Sequence, residues 1–163
     1  MVNNAGKHLT KYNQPFIMLP RSELRALLEV NVIGVVNCTV SALDLLKVRG
    51  GVVVNIASVA SNLLVSPYGI SKLAVRGLTV ALATELAPFS IRVNAISPGV
   101  IDTPAVLEDF TDTMMQSVID RQLIKRPGHV EDLVGAVLYL CSDAASFVTG
   151  ETLRVSGGWP LIN

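Results

Sequence analysis

The 163-residue sequence predicts an α/β fold: a doubly wound parallel sheet with helices on both faces. Three observations carry that reading. Short apolar runs of strand length alternate with longer segments of helical periodicity, the order that right-handed crossovers produce. The strand runs are near-continuously apolar, as in parallel strands covered on both sides. Polar, chemistry-bearing residues fall just after those runs, at the carboxyl ends where such sheets bind ligands.

The elements follow in order. Ser22 is placed to cap a helix reaching about Lys47, because Leu24, Leu28, Val32, Val35, Val36, Val40 and Leu43 recur at helical spacing. Gly50 and Gly51 stop it. Residues 51–57 form the first full strand, with Ser58 at its end. Ser66 and Pro67 are an N-cap and first-turn proline, opening a helix to about Ala87 that Pro88 ends. Ala74, Gly77 and Ala81 give this helix a small-residue stripe that lets another helix approach closely. Residues 91–96 are a second buried strand, broken by Ser97, Pro98 and Gly99. Thr103 and Pro104 open a weaker helix to about Ile119, and Arg126, Pro127 and Gly128 make a turn. An amphipathic helix over 130–141 and a short strand over 152–156 complete one domain spanning 1–163.

Composition excludes several classes. Half the residues are hydrophobic, 16% are charged, and mean hydropathy is +0.51. No uninterrupted apolar run reaches 18 residues, which argues against a membrane span. The apolar excess is therefore expected in a core or a subunit interface. Thirteen basic and thirteen acidic residues cancel, which argues against nucleic acid as partner. Cys38 and Cys141 have neither paired nor metal-ligand spacing and are expected as buried free thiols of a reducing, cytoplasmic compartment. His8 and His129 lack neighbouring ligand residues and are expected at the surface; no metal site is expected.

Tyr68 and Lys72 stand four residues apart on the helix that Ser66 opens, so phenol and ammonium share one face. A nearby cation favours phenolate and lowers a value that is ordinarily about 10. Such a group serves as an acid/base for carbonyl reduction or alcohol oxidation. Ser58, ten residues upstream, is a hydroxyl able to hold a substrate oxygen where charge develops. Each has a structural alternative: a solvated helix pair for Tyr68 and Lys72, a turn residue for Ser58 with Ser61 as its decoy, a local hydrogen bond for Asn31, an N-cap for Thr103.

Six segments in order resemble the short-chain dehydrogenase/reductase family: residues 3–6 (Asn3, Asn4, Ala5, Gly6), Asn31 with Gly34, residues 55–58, Tyr68 with Lys72, residues 92–103, and residues 142–158. The resemblance implies a Rossmann-like fold and an NAD- or NADP-dependent oxidoreductase acting on a small-molecule alcohol or ketone. Tyr68 would be the acid/base, Lys72 would lower its pKa and bind the nicotinamide ribose, and Ser58 would hold the substrate oxygen. Asn31 would anchor a proton-relay water. Ile101 and Thr103 would hold the carboxamide, with Pro98 and Gly99 shaping that loop. Asn4, Ala5 and Gly6 would make a secondary cofactor contact. The helices at 22–47 and 67–87 match those that pair subunits in the family, implying a homo-oligomer.

The sequence departs from the family in three ways. None of its glycines forms the glycine-rich phosphate turn, so the chain is expected to be N-terminally truncated, lacking the adenine and phosphate half of the site and leaving an apolar strand edge. The interval from Ser58 to Tyr68 is roughly three residues shorter than is usual. Ser156 stands where many relatives carry Asp. A non-catalytic remnant acting through subunit association is the alternative function.

Overall fold

A computed structural model describes residues 1–8 and 10–161. Four parallel strands form one sheet in the order β1 (Val2–Asn3), β2 (Val52–Ile56), β3 (Arg92–Pro98), β4 (Thr152–Val155). The register pairs Val54 with Val2 on one side and with Asn94 on the other. The predicted parallel sheet with helices on both faces is thus found.

Helical segments are α1 (Arg21–Leu28), α2 (Gly34–Ser41), α3 (Leu43–Lys47), α4 (Ala60–Leu63), α5 (Pro67–Leu86), α6 (Pro104–Asp109), α7 (Asp112–Arg121) and α8 (Val130–Cys141). On one face Val35 of α2, Leu43 and Leu46 of α3, and Val75, Leu82, Ala83 and Leu86 of α5 close over Val53, Val93 and Ala95. On the other, Leu133, Ala136, Val137 and Leu140 of α8 cover Val54, Ile56 and Ile96. Val53, Val54, Val93 and Ile96 are fully buried, each worth about 1.5–3 kcal/mol.

The expected helix over 22–47 is interrupted. Residues Glu29–Ile33 form a π turn between α1 and α2, and α3 is a separate short helix after Ala42. Ser22 does not cap it: Pro20, in an extended conformation, precedes a helix that starts at Arg21 without a side-chain cap. The periodicity carried no mark of the inserted residue, because a π turn keeps the apolar face nearly continuous. The helical run Arg21–Ser41, with an 18-residue window of mean hydropathy 1.4, is long and apolar enough to cross a membrane by length and composition. Its buried stripe of Leu27, Asn31, Val35 and Thr39 is turned into the protein, while most of the run is not buried.

Other boundaries also move. The helix expected to 119 splits at Phe110, and Thr111 caps α7 by accepting the Met114 amide at 3.3 Å. β3 runs on through Ser97 and Pro98, and α4 is an added turn after Ser58. Ser66 caps α5 as expected, accepting the Gly69 amide at 3.1 Å. Cys38 and Cys141 are exposed rather than buried, each on the outer side of a helix whose other side meets the core.

Polar groups inside the sheet are paired. Asn3 donates to Asn55 Oδ1 at 2.8 Å, and Asn55 donates to Thr79 at 2.9 Å, tying β1, β2 and α5 together. Asn94 donates to the Val148 carbonyl at 2.8 Å and accepts the Glu151 amide at 3.0 Å, clamping the turn before β4. Asn94→Ala leaves the Glu151 amide without its partner, while the Val148 carbonyl keeps the Arg92 guanidinium at 3.2 Å, and is expected to cost about 1–3 kcal/mol. Its urea midpoint should fall at unchanged slope, whereas an unchanged midpoint would show that water replaces both bonds.

Candidate functional site

Ser58, Tyr68 and Lys72 meet at the carboxyl end of β2. Ser58 leaves the strand, and α4 returns the chain so that the first turn of α5 brings Tyr68 back over it. The Ser58 hydroxyl neighbours the Tyr68 phenol and accepts the Ala60 amide at 3.2 Å. Ser61, the expected decoy, is buried and donates to the Ser58 carbonyl at 2.6 Å, so it supports the turn.

Lys72 is 5% exposed, and its ammonium donates to the Ile56 carbonyl at 2.7 Å. Burial lowers its pKa from 10.5 to about 8. The Nζ atom lies 5.9 Å from the centre of the Tyr68 ring. The expected lowering of the phenol by this cation is not found. Burial pushes Tyr68 above its ordinary value, and only the neighbouring Ser58 hydroxyl pulls it back. Spacing put the two groups on one face, but the strand-end carbonyl takes the ammonium.

Asn31 sits in the π turn and is 1% exposed. It accepts the Lys7 amide at 2.7 Å and donates to the Lys7 carbonyl and the Ser71 hydroxyl, both at 3.0 Å. It staples the loop after β1 to α5. Asn4, Ala5 and Gly6 are exposed along that loop. A Cβ at Gly6 would stand 3.4 Å from both Asn31 Oδ1 and Lys72 Nζ, so glycine keeps the approach to the ammonium open. Further on, Tyr12 is buried and donates to Glu23 at 2.8 Å, with Lys11 3.1 Å from the same carboxylate. Lys11 and Tyr12 together hold the Glu23 carboxyl below its usual range.

The second loop at the site follows β3. The Pro98 carbonyl accepts the Val59 amide at 3.0 Å, joining the ends of β2 and β3. A Cβ on Gly99 would lie 3.0 Å from Ser156 Cα, so this position packs against the chain after β4. Ile101 is buried and bridges Gly128; Thr103 caps α6, accepting the Val106 amide at 3.4 Å while its own hydroxyl proton stays free to donate. The donors suit a nicotinamide nucleotide: Lys72 has two further N–H bonds for ribose hydroxyls, and Thr103 offers a donor for a carboxamide. Asp109, at the far end of α6, accepts the Thr10 hydroxyl at 2.8 Å, closing a bridge between this segment and the first loop. Sequence spacing gave no signal for that contact, which spans 99 residues.

His8 and His129 are exposed as expected, but His129 is not alone: its Nδ1 lies 2.6 Å from Asp102. No cluster of three metal-ligating side chains occurs among the described residues.

A family model described as enoyl-(acyl carrier protein) reductase matches residues 1–160. The chain is 38% identical over 162 residues to the 7α-hydroxysteroid dehydrogenase of Escherichia coli K12, covering 97% of this chain and 62% of that protein. The structure of 3-oxoacyl-[acyl-carrier protein] reductase from Brucella melitensis superposes with TM-score 0.90 at 32% identity, over 99% of this chain and 62% of that one. That of gluconate 5-dehydrogenase from Burkholderia cenocepacia, in complex with NADP and tartrate, superposes with TM-score 0.87 at 34% identity, over 96% and 62%. The chain therefore spans less than two thirds of the length of the relatives it matches, and it belongs to the short-chain dehydrogenase/reductase family of oxidoreductases.

Proposed function

We propose that this chain carries the catalytic and nicotinamide half of an NAD- or NADP-dependent oxidoreductase that interconverts a small-molecule alcohol and its ketone or aldehyde. The observation that carries the reading is the meeting of the Ser58 and Tyr68 hydroxyls at the carboxyl end of β2 beside a buried Lys72. A nicotinamide, when bound, supplies or accepts the hydride. Ser58 holds the substrate oxygen. Tyr68, its phenol kept protonated at neutral pH by burial, delivers the proton to that oxygen. Lys72 binds the ribose. Asn31 holds the first loop against α5, and Ile101 and Thr103 hold the carboxamide, with Asn4, Ala5, Gly6, Pro98 and Gly99 shaping the walls.

The outer faces of α2, α3 and α5 serve as the subunit contact. Val40 on α2, Leu45 on α3, Val48 just after α3, and Leu73 and Val80 on α5 are exposed, and Gly77 has open space above it. The exposed, unbridged thiols Cys38 and Cys141 fit a cytoplasmic protein.

Calorimetric titration of the 163-residue chain with NADH and then NADPH tests the reading. Saturable binding of one of them is expected. A folded chain that binds neither would remove the nicotinamide half-site from this protein.

A further inference from the structure

The loop that carries Ile101 and Thr103 borders a pocket of about 130 Å³ lined by Gly99, Val100, Ile101, Gln122, Pro127 and Gly128. On one side Ile101 meets Gly128 closely. The other contacts that hold the loop there are polar. The Asp102 amide donates to the Gly128 carbonyl at 2.9 Å, and the Asp102 carboxylate meets His129 Nδ1 at 2.6 Å. His129 is anchored in turn, its own amide donating to Asp132 at 2.8 Å. Asp132 is held by both Arg126 nitrogens at 2.7 Å. Arg126, Asp132, His129 and Asp102 thus form one chain of contacts from the start of α8 to the residue between Ile101 and Thr103.

We infer that His129 is a positioning residue for the reaction, acting through Asp102 to set the Ile101 backbone and the Thr103 hydroxyl where a nicotinamide carboxamide is received. The inference rests on the nicotinamide reading above for its consequence, though the tether itself does not. It assigns His129 no contact with substrate or cofactor. The side chains are partly exposed, 47% for His129 and 26% for Asp102, which limits the size of the effect. A single pair of this kind changes an equilibrium by up to about fivefold.

Two measurements on the whole chain decide it. Amide exchange without cofactor reads the tether, using the Asp102 and Thr103 amides, which donate to Gly128 and Ile101. In His129→Gln these should exchange about fivefold faster, while amides in β2 and α5 stay unchanged. NADH titration reads the consequence. His129→Gln and Asp102→Ala should each weaken binding by about the same factor, the double variant should be no worse than either alone, and Asp102→Asn, which keeps an acceptor for the ring N–H, should restore part of the loss. In turnover assays the loss should fall on the cofactor KM and spare kcat. Unchanged loop exchange in His129→Gln, or losses that add in the double variant, would overturn the inference. Faster loop exchange in a chain that binds no nucleotide would uphold the tether and count against the nicotinamide reading instead.

Discussion

Tyr68→Phe is expected to lower turnover by at least about 10²–10⁴-fold, the range lost when a positioned acid/base is removed. The same substitution should leave nicotinamide affinity within about twofold, because nothing assigned to the cofactor is deleted except one hydroxyl. The ring itself packs against the Tyr12, Leu19 and Leu27 cluster, and phenylalanine keeps those contacts. Only the phenol's polar contact with the neighbouring Ser58 hydroxyl is lost, which does not open a cavity. Rate measured at saturating alcohol and cofactor, alongside calorimetry, separates the two effects. Turnover within tenfold of the parent would take Tyr68 out of the mechanism and leave Ser58 as the main polar contact to the substrate.

Lys72→Met is expected to damage catalysis and cofactor binding while changing stability little at pH 7 and lowering it relative to the parent at high pH. The folded-state value of about 8 lies below the ordinary 10.5, so the unfolded chain binds the proton more tightly. The group therefore carries a penalty that is fully present below pH 8. That penalty is relieved as pH rises from about 8 to 10.5, where unfolded chains are protonated and folded ones are not. Relief is of order 3 kcal/mol across that window. Methionine removes the penalty but leaves the Ile56 carbonyl without its donor, a cost of about 1–3 kcal/mol. The two nearly cancel at pH 7. The informative quantity is the difference in stability between parent and variant from pH 7 to 10.5, which should move by roughly 3 kcal/mol in favour of the parent. A constant difference would mean that the ammonium keeps its ordinary value and is better solvated than its burial implies.

These two residues also mark what a sequence can disclose. Their identity and spacing were enough to locate the site at a strand end, since Ser58 and the loop from Pro98 lie just beyond apolar runs. Parallel pairing followed from the same alternation. The electrostatic relation between them was not legible. It depends on the Ile56 carbonyl taking the ammonium, and a main-chain oxygen has no signature in the residue order. Pairing of Asp102 with His129, and of Asp109 with Thr10, was hidden for another reason: each joins residues brought together only by the crossover connections. The exposed cysteines show a limit of local hydropathy, since an apolar helix has an outer side that its sequence does not distinguish.

The π turn at Glu29–Ile33 makes α1 and α2 two phases of one helix, offset by a single residue. Shortening that turn by one position would convert it to regular helix and rotate everything upstream by about 100° relative to α2. Leu24 and Leu27, which now meet Tyr12 and Tyr68, would swing out of that cluster, and the loop that Asn31 staples would lose its anchor. A deletion that leaves Ser58, Tyr68 and Lys72 in the sequence would thereby strip the packing and the loop from around them. In this stretch of chain, residue count matters as much as residue identity.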